Sequence, residues 1–565
     1  MLKKILSAII VSILALSLFA FAACENTESS SSAGVISMGG GSGSENDDGY
    51  EYSDPVTDDS IIAEAATGEF SIETEDGVLP EPSGGVYTIT AAGTYSLKGY
   101  LKGQIIVDAG DEDKVVLELN GVTIECDLDS PVKILSADKV EISAKKETEN
   151  IINDLRAVKT SDDDSQGKGA IYAKADLKFK GAGVLVVNGN YNNGIHTTKD
   201  LEIQKLSLKV TAYNNAIKGN DSVTVTSGAI VAISTNGDGV KTESTDADKN
   251  GNVRGDITIS GGSIAVYAAG DGIQAAHDFV CKGEDGSAPT IVIYTGSYSG
   301  YTAAGAAVDS YKGVKAENEL NISAGAITVR SYDDGLHANY GATFEAGGNG
   351  LGNINISGGT INVSVYSPDV KTGGGFIGPR TRQGQQSVKG ADGIHADSEL
   401  NIFGGEIFID SSYEGLEGNV INVSGGKTTV IANDDGVNAC SGTKTPVINV
   451  SGGYLDVAVS PNGDTDGIDS NGSYYQTGGV VITRGPSSAM AAALDVDERG
   501  TAVVSGGTLI VLGYASIRTS GSVKSVSLSL NFAGSHTVTI GGTAYTFNNA
   551  YSYARTNCYS SETVK

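Results

Sequence analysis

The chain is 565 residues long, with 77 glycines, no tryptophan, 25 tyrosines and a formal net charge of −30. So acidic a balance repels nucleic-acid phosphates and excludes nucleic acid as a partner. Glycine richness at this length, without a collagen period, fits one elongated repeat array better than several separate globules.

Residues 1–23 carry Lys3, Lys4, an apolar run and Phe21-Ala22-Ala23 ahead of Cys24. This is a secretion signal with a small-residue cleavage site rather than a membrane-spanning helix. Cys24 directly after two alanines predicts a lipoprotein, held at the extracellular face of a bacterial membrane only by its lipid. Ordinary signal cleavage and secretion is the alternative. Residues 24–66 are rich in Ser, Gly and acids, and bury too little apolar surface to fold. They are predicted to be a disordered tether. Residues 67–103, with VYTITAAGTYSLKGYLKG, predict an N-terminal cap of short antiparallel strands, because the end of a strand stack is an open edge.

From 104 to 519 the chain repeats. Ile394, Leu416 and Val437 hold the same place in successive copies, 22 and then 21 residues apart, and Ile195 to Ile217 and Val314 to Leu336 are again 22. Each copy has a polar residue, Gly, an aliphatic residue and a second polar one, then an alternating run, Gly-Gly and another alternating run. Alternation of period two marks strands, and the glycines mark turns. Three strands in about 22 residues predict an all-β, three-faced parallel β-helix. Breaks in the spacing place insertions at 242–254, 281–311, 339–350 and 368–389. Residues 520–565 change to SVSLSLNF and HTVTIGGTAYTF, a hairpin-like C-terminal cap. Cys126, Cys281, Cys440 and Cys558 match no metal spacing and are either paired or buried thiols.

Stacking turns each repeat position into a column with a spacing of about 4.8 Å. The residue before the corner glycine or alanine runs Asn193, Asn215, Asp238, Asp271, Lys312, Asp334, Asp392, Glu414, Asp435, Asp466. One reading is turn chemistry, since Asn-Gly and Asp-Gly suit positive φ. The other is calcium between carboxylates that would otherwise repel one another. The residue after the corner aliphatic is predicted to point outward, and includes His196, Lys218, Lys241, Lys315, His337 and His395. These are either solvated strand positions or a polar, partly basic track for the hydroxyls or carboxylates of an extended glycan.

Two stretches resemble calcium loops. Asp246, Asp248 and Asn250, followed by Gly251, have the D-x-D-x-N-G spacing, with Asp256 beside the twelfth position in place of the usual Glu. Asn462, Asp464, Asp466 and Asp469 form a second such stretch, fused to the corner column. A solvated acidic loop is the rival reading of the first.

The recurring DGI-x-A…L-x-I-x-GG-x-I-x-V coil, the opening ITAAGTYSLKG…GQIIVDA and DGIDSNG at 466–472 together resemble the bacterial cell-surface carbohydrate-binding β-helix family, from about residue 80 to the C-terminus. The resemblance implies a right-handed parallel β-helix similar to pectate lyases, bound calcium, and affinity for cellulose and acidic plant polysaccharides such as polygalacturonate. It assigns no sugar-binding residue. With no Trp, a flat aromatic platform would have to rest on Tyr, and the insertion at 368–389, with Arg380 and Arg382, departs from the pattern.

The expectation is a monomeric, surface-tethered, non-catalytic polysaccharide-binding module. The first rival is a calcium-dependent polysaccharide lyase, whose base would be a lysine such as Lys218, Lys241 or Lys315. The second is an adhesin that uses the rod as a spacer.

Overall fold

Alternation decides the architecture. In Leu206–Ala212, Leu206, Leu208, Val210 and Ala212 are buried, and Ser207, Lys209 and Thr211 between them are half-buried. A strand of this kind must lay its aliphatic face on a core and stack its edges on its neighbours. The computed structural model describes residues 51–82, 84–160, 165–306, 308–365, 390–488 and 490–565. The signal segment, Cys24, the tether up to residue 50 and the whole insertion at 368–389 lie outside the described residues.

Among the described residues there is no α-helix, only a 3-10 turn at Gly296–Ser299. One sheet holds 45 strands, and most of its pairings are parallel. Over much of the chain each strand pairs with the strand three places further on, so three ladders grow together. One runs through Asn193–Thr197, Ile217–Gly219, Val240–Lys241 and Ile273–Ala275. The second passes through Asp200–Ile203, Ser222–Val225 and Asp256–Ile259. The third passes through Leu206–Ala212, Gly228–Ser234 and Ser263–Ala268. Register puts aliphatic on aliphatic: Ile195, Ile217, Val240 and Ile273 stack in turn, as do Ile394, Leu416, Val437 and Ile468. These stacks belong to one continuous core.

The corner glycines do not have the conformation that turn chemistry predicts. Gly239, Gly272, Gly313, Gly335, Gly393, Gly415 and Gly436 are not among the positive-φ residues. Their constraint is space, because a Cβ on Gly272 would stand 2.3 Å from Ile293 Cγ2, and one on Gly436 2.1 Å from Val457 Cγ1. Positive φ belongs instead to the second residue of the Gly-Gly pairs, as at Gly426 (φ 72°) and Gly453 (φ 74°).

Three further expectations are corrected. Residues 51–66, assigned to the tether, run against the strand array. Glu51–Tyr52 pairs with Ser287–Ala288, the Val56 amide donates to Ser263 Oγ at 3.0 Å, and Asp58 meets Lys209 and Tyr301. The physical reason is Ile61, buried on Val231, Ile233 and Ala265, so even this polar stretch has an apolar foothold. The N-terminal cap is antiparallel only where Ser71–Thr74 meets Gly77–Val78 and Gly93–Lys102. Val86–Ile89 and Gly93–Lys102 already pair in parallel with Gln104–Asp108 and Lys114–Cys126, so stacking starts earlier than residue 104. Within 281–311, Thr290–Thr295 is a ladder strand rather than inserted loop, pairing with Ser263–Ala268 and Ala326–Ser331.

At the other end, Gly534–Ile540 and Thr543–Asn549 form an antiparallel hairpin, and Thr556–Ser560 adds antiparallel to Thr508–Leu512. The cysteines Cys126, Cys281, Cys440 and Cys558 are all free thiols, and three of them are buried.

Candidate functional site

The polar column after the corner aliphatics is continuous in register. Tyr172, His196, Lys218, Lys241, Gln274, Lys315, His337, His395, Glu417, Asn438 and Asp469 are each paired with the next. It faces away from the core, yet it is not solvated as predicted: His196, Lys218 and His337 are buried, and Lys241, Lys315 and His395 are half-buried. Side chains from neighbouring loops close over it. Lys218 Nζ donates to Glu243 at 2.7 Å, His196 Nε2 meets Asn220 Oδ1 at 3.0 Å, and the Tyr172 ring stands edge-on to His196 at 5.4 Å. Burial, and then the Lys218 charge, push the His196 pKa down to about 4, so its imidazole is neutral at pH 7. Burial also lowers the pKa of Lys218 against the pull of Glu243.

Around these residues lies a cavity of about 290 Å³, lined by Lys159, Lys168, Tyr172, His196, Lys218, Glu243 and the amides of Asn192, Asn193, Asn214, Asn215 and Asn220. Among the described lining residues are three ammonium groups and one carboxylate. Ammonium and amide N–H donors suit carboxylate and hydroxyl oxygens, and neutral imidazole and amide oxygens accept from hydroxyls. Sequence reasoning found His196 and Lys218 and placed Asn193 and Asn215 in the corner column, but missed Lys159, Lys168, Asn192, Asn214 and Asn220. The repeat itself held the signal, since Lys168, Asn192 and Asn214 occupy the position one residue upstream of the corner column. Glu243 sits beyond the strand, where no periodicity reaches.

The acidic column does two jobs. In its Asn and Asp members from Asn193 to Asp435, one side-chain oxygen accepts the backbone N–H of the residue stacked on it. Asn193 Oδ1 takes the Asn215 amide at 3.1 Å, Asp238 Oδ1 that of Asp271 at 2.9 Å, Asp334 Oδ1 that of Asp392 at 2.8 Å and Asp435 Oδ1 that of Asp466 at 2.7 Å. The other oxygen turns to the polar column, as Asp238 Oδ2 does to Lys241 at 2.8 Å and Asp334 Oδ2 to His337 at 2.6 Å. Lys315 pairs instead with Glu317 at 2.9 Å.

Beyond His395 the two columns hold no further cation. Among the described residues no basic side chain forms an ion pair with Asp435, Asp464, Asp466, Asp469 or Asp495. Burial is the first cause and neighbouring carboxylates the second in raising Asp435 to about 8. Burial likewise leads in raising Asp466 to about 7, and burial with Asp495 raises Asp469 to about 6. Asn438, stacked between Glu417 and Asp469, buries its Oδ1 without a donor, and its Nδ2 donates to Glu414 at 2.9 Å.

The first predicted calcium loop is arranged differently. Asp246 faces Arg254 at 3.3 Å and Ser244 at 2.7 Å. Asp248 Oδ1 accepts the amides of Asn250 and Asn252 at 2.7 and 2.8 Å, and Asp256 meets His277 at 2.7 Å. Asp246, Asp248, Asn250 and Asp256 are therefore not turned onto one point. The motif's spacing serves a turn closed by an Asp side chain and an arginine clip. In the second stretch Asp466 and Asp469 share the carboxylate-rich corner, whereas Asn462 sits in a turn where its amide donates to Ser460 Oγ at 3.1 Å.

The family model of carbohydrate-binding domain-containing proteins matches residues 83–365 and 349–436. A carbohydrate-binding domain-containing protein of Acetivibrio thermocellus is 39% identical over 126 residues, 22% of this chain and 44% of the relative. The chain thus spans less than half the length of that relative. A solved structure, described as the polysaccharide lyase-like protein from C. thermocellum in a gadolinium derivative, is 32% identical, with 45% of this chain and 97% of that chain covered and a TM-score of 0.37. Because the family model accounts for more than half of the 565 residues, the chain belongs to the family of carbohydrate-binding domain-containing proteins.

Proposed function

We propose that the protein is a non-catalytic polysaccharide-binding module that takes acidic plant glycans, polygalacturonate among them, in the cavity floored by His196 and Lys218. The carrying observation is the gathering of Lys159, Lys168 and Lys218 with five asparagines in one cavity. Three paired ladders of about 22 residues per turn support a right-handed, three-faced parallel β-helix as the scaffold. Cellulose is the weaker glycan on this reading. Of the stacked tyrosine pairs, Tyr267 and Tyr294 lie beside Tyr301, whose hydroxyl binds Asp58 of the N-terminal segment, and Tyr454 and Tyr545 are both half-buried, so neither is an open platform.

Calcium belongs to the proposal at the C-terminal end of the columns. The donor set there is oxygen-rich, and the orphaned Asn438 Oδ1 among carboxylates fits a hard cation. Asp435, Asp466, Asp469 and Asn438 would hold it, and the ion would offset the burial and mutual repulsion that raise these carboxylates above their ordinary range. The protein acts outside the cell as a monomer, tethered through Cys24.

In affinity electrophoresis, Lys218→Ala should weaken polygalacturonate binding by about tenfold, the loss of one charge-assisted contact of ~1.4 kcal/mol, and leave a neutral glucan unaffected. Equal binding of polygalacturonate by the two proteins would refute the assignment. A lyase is the second reading, favoured by the lowered pKa of Lys218, which suits a general base. Unsaturated product absorbing in the ultraviolet, formed by wild type and not by Lys218→Ala, would establish the lyase in place of the binder.

A further inference from the structure

His395 lies on Ile394–Ile402, and its register partner Glu417 on Leu416–Val423, with Asp392 at the corner just before. His395 Nδ1 is 3.3 Å from Asp392 Oδ2, 3.3 Å from Glu417 Oε2 and 3.9 Å from Asp334 Oδ2. One imidazole N–H serves one acceptor, so three oxygens converge where a protonated ring offers a single proton. The Asp334 oxygen is already satisfied, by Lys312 Nζ and His337 Nδ1, each at 2.6 Å. The oxygens of Asp392 and Glu417 are left to share that proton, with the Cys440 thiol a further, weak donor to Glu417.

We propose that Asp392, His395 and Glu417 form a binding site for a borderline divalent cation of the zinc class. Zinc–nitrogen and zinc–oxygen bonds of about 2.0–2.2 Å place neighbouring tetrahedral ligands about 3.3 Å apart. That is the separation of the Nδ1 atom from both carboxylate oxygens. The far side of the ring supplies independent support. His395 Nε2 is 3.3 Å from Asp397 Oδ1, and His337 Nε2 is 3.6 Å from the same atom. A metal-bound imidazole donates its other N–H to a carboxylate, which fixes the tautomer and turns the lone pair toward the ion. An imidazole ligand separates this site from the carboxylate and amide corner around Asn438, because calcium prefers oxygen. His395 and Glu417 sit on paired strands and Asp392 two residues ahead of one, its Oδ1 held by the Glu414 amide at 3.0 Å, so the site is preorganised.

The test uses the full chain after its signal, stripped by chelation and titrated with Co2+, whose tetrahedral complexes absorb in the visible. One equivalent of Co2+ should give such a band, displaced by Zn2+ and not by excess Ca2+. Asp397→Asn should weaken Co2+ binding by about 10–100-fold. His395→Gln should abolish the band, and Glu417→Gln, with unchanged melting in metal-free buffer, serves if His395→Gln fails to fold. His277→Gln, which touches the separate Asp256, His277 and Asp278 group, should leave it intact. No band in wild type, a band that survives Glu417→Gln, or one lost in His277→Gln overturns the proposal. Polygalacturonate binding plays no part in the readout, so the two proposals fail separately.

Discussion

His196 shows how burial changes the chemistry of a residue. In the unfolded chain its imidazole titrates near 6.5, whereas in the folded protein burial and then Lys218 hold it down to about 4. As pH falls, the unfolded chain takes up the proton first. Stability present above pH 6.5 therefore drains away between about 6.5 and 4, by up to ~3 kcal/mol from this group. His196→Gln should remove that part of the slope, and thermal melts of the two proteins across the window read it directly. Parallel pH profiles would show that His196 is solvated and its burial misplaced.

At the scale of the element, the corner glycine is a packing device. Gly272→Ala must fit a Cβ 2.3 Å from Ile293 Cγ2 and 2.6 Å from the Gly313 carbonyl oxygen. Overpacking of this kind costs about 1–3 kcal/mol. Gly68 has ordinary backbone angles and nothing within 4 Å of a new Cβ, so Gly68→Ala should be neutral or slightly stabilising. Melting temperatures of the two variants decide the matter, and equal shifts would mean that the corner is loose. The same element explains the Asx ladder. Each side-chain oxygen that accepts the next amide satisfies a backbone donor that the corner would leave unpaired.

Across the whole molecule the net charge of −30 is distributed unevenly. The polar column carries its lysines and histidines in the first part, all but His196 beside a carboxylate, and ends in Glu417, Asn438 and Asp469; past Glu417, which faces His395, its acids have no cation among the described residues. Calcium added to chelated protein should raise the melting temperature with concentration, as a ligand of the folded state does. A melting curve indifferent to both chelator and calcium would leave the acidic end as turn chemistry alone. Anchoring has its own test: Cys24→Ala should move the protein from the membrane fraction to the medium, and an unchanged partition would end the lipoprotein proposal.

Much of this was legible in the sequence because repetition amplifies a weak signal. The spacing of 22 between Ile195 and Ile217 specified which residues stack, and alternation specified which face the core, so the all-β class and the columns followed from pattern alone. Family membership was legible too, in the recurrent coil. Pattern says nothing, however, of what covers a face that points away from the core. Only the tertiary structure brought Glu243 over Lys218, laid Ile61 on Val231, clipped Asp246 with Arg254 and set Asp397 behind the rings of His337 and His395. These contacts join residues with no fixed spacing, through loops whose path depends on side-chain packing. The columns were therefore determined locally, whereas their burial, charge state and partners were decided by long-range contacts.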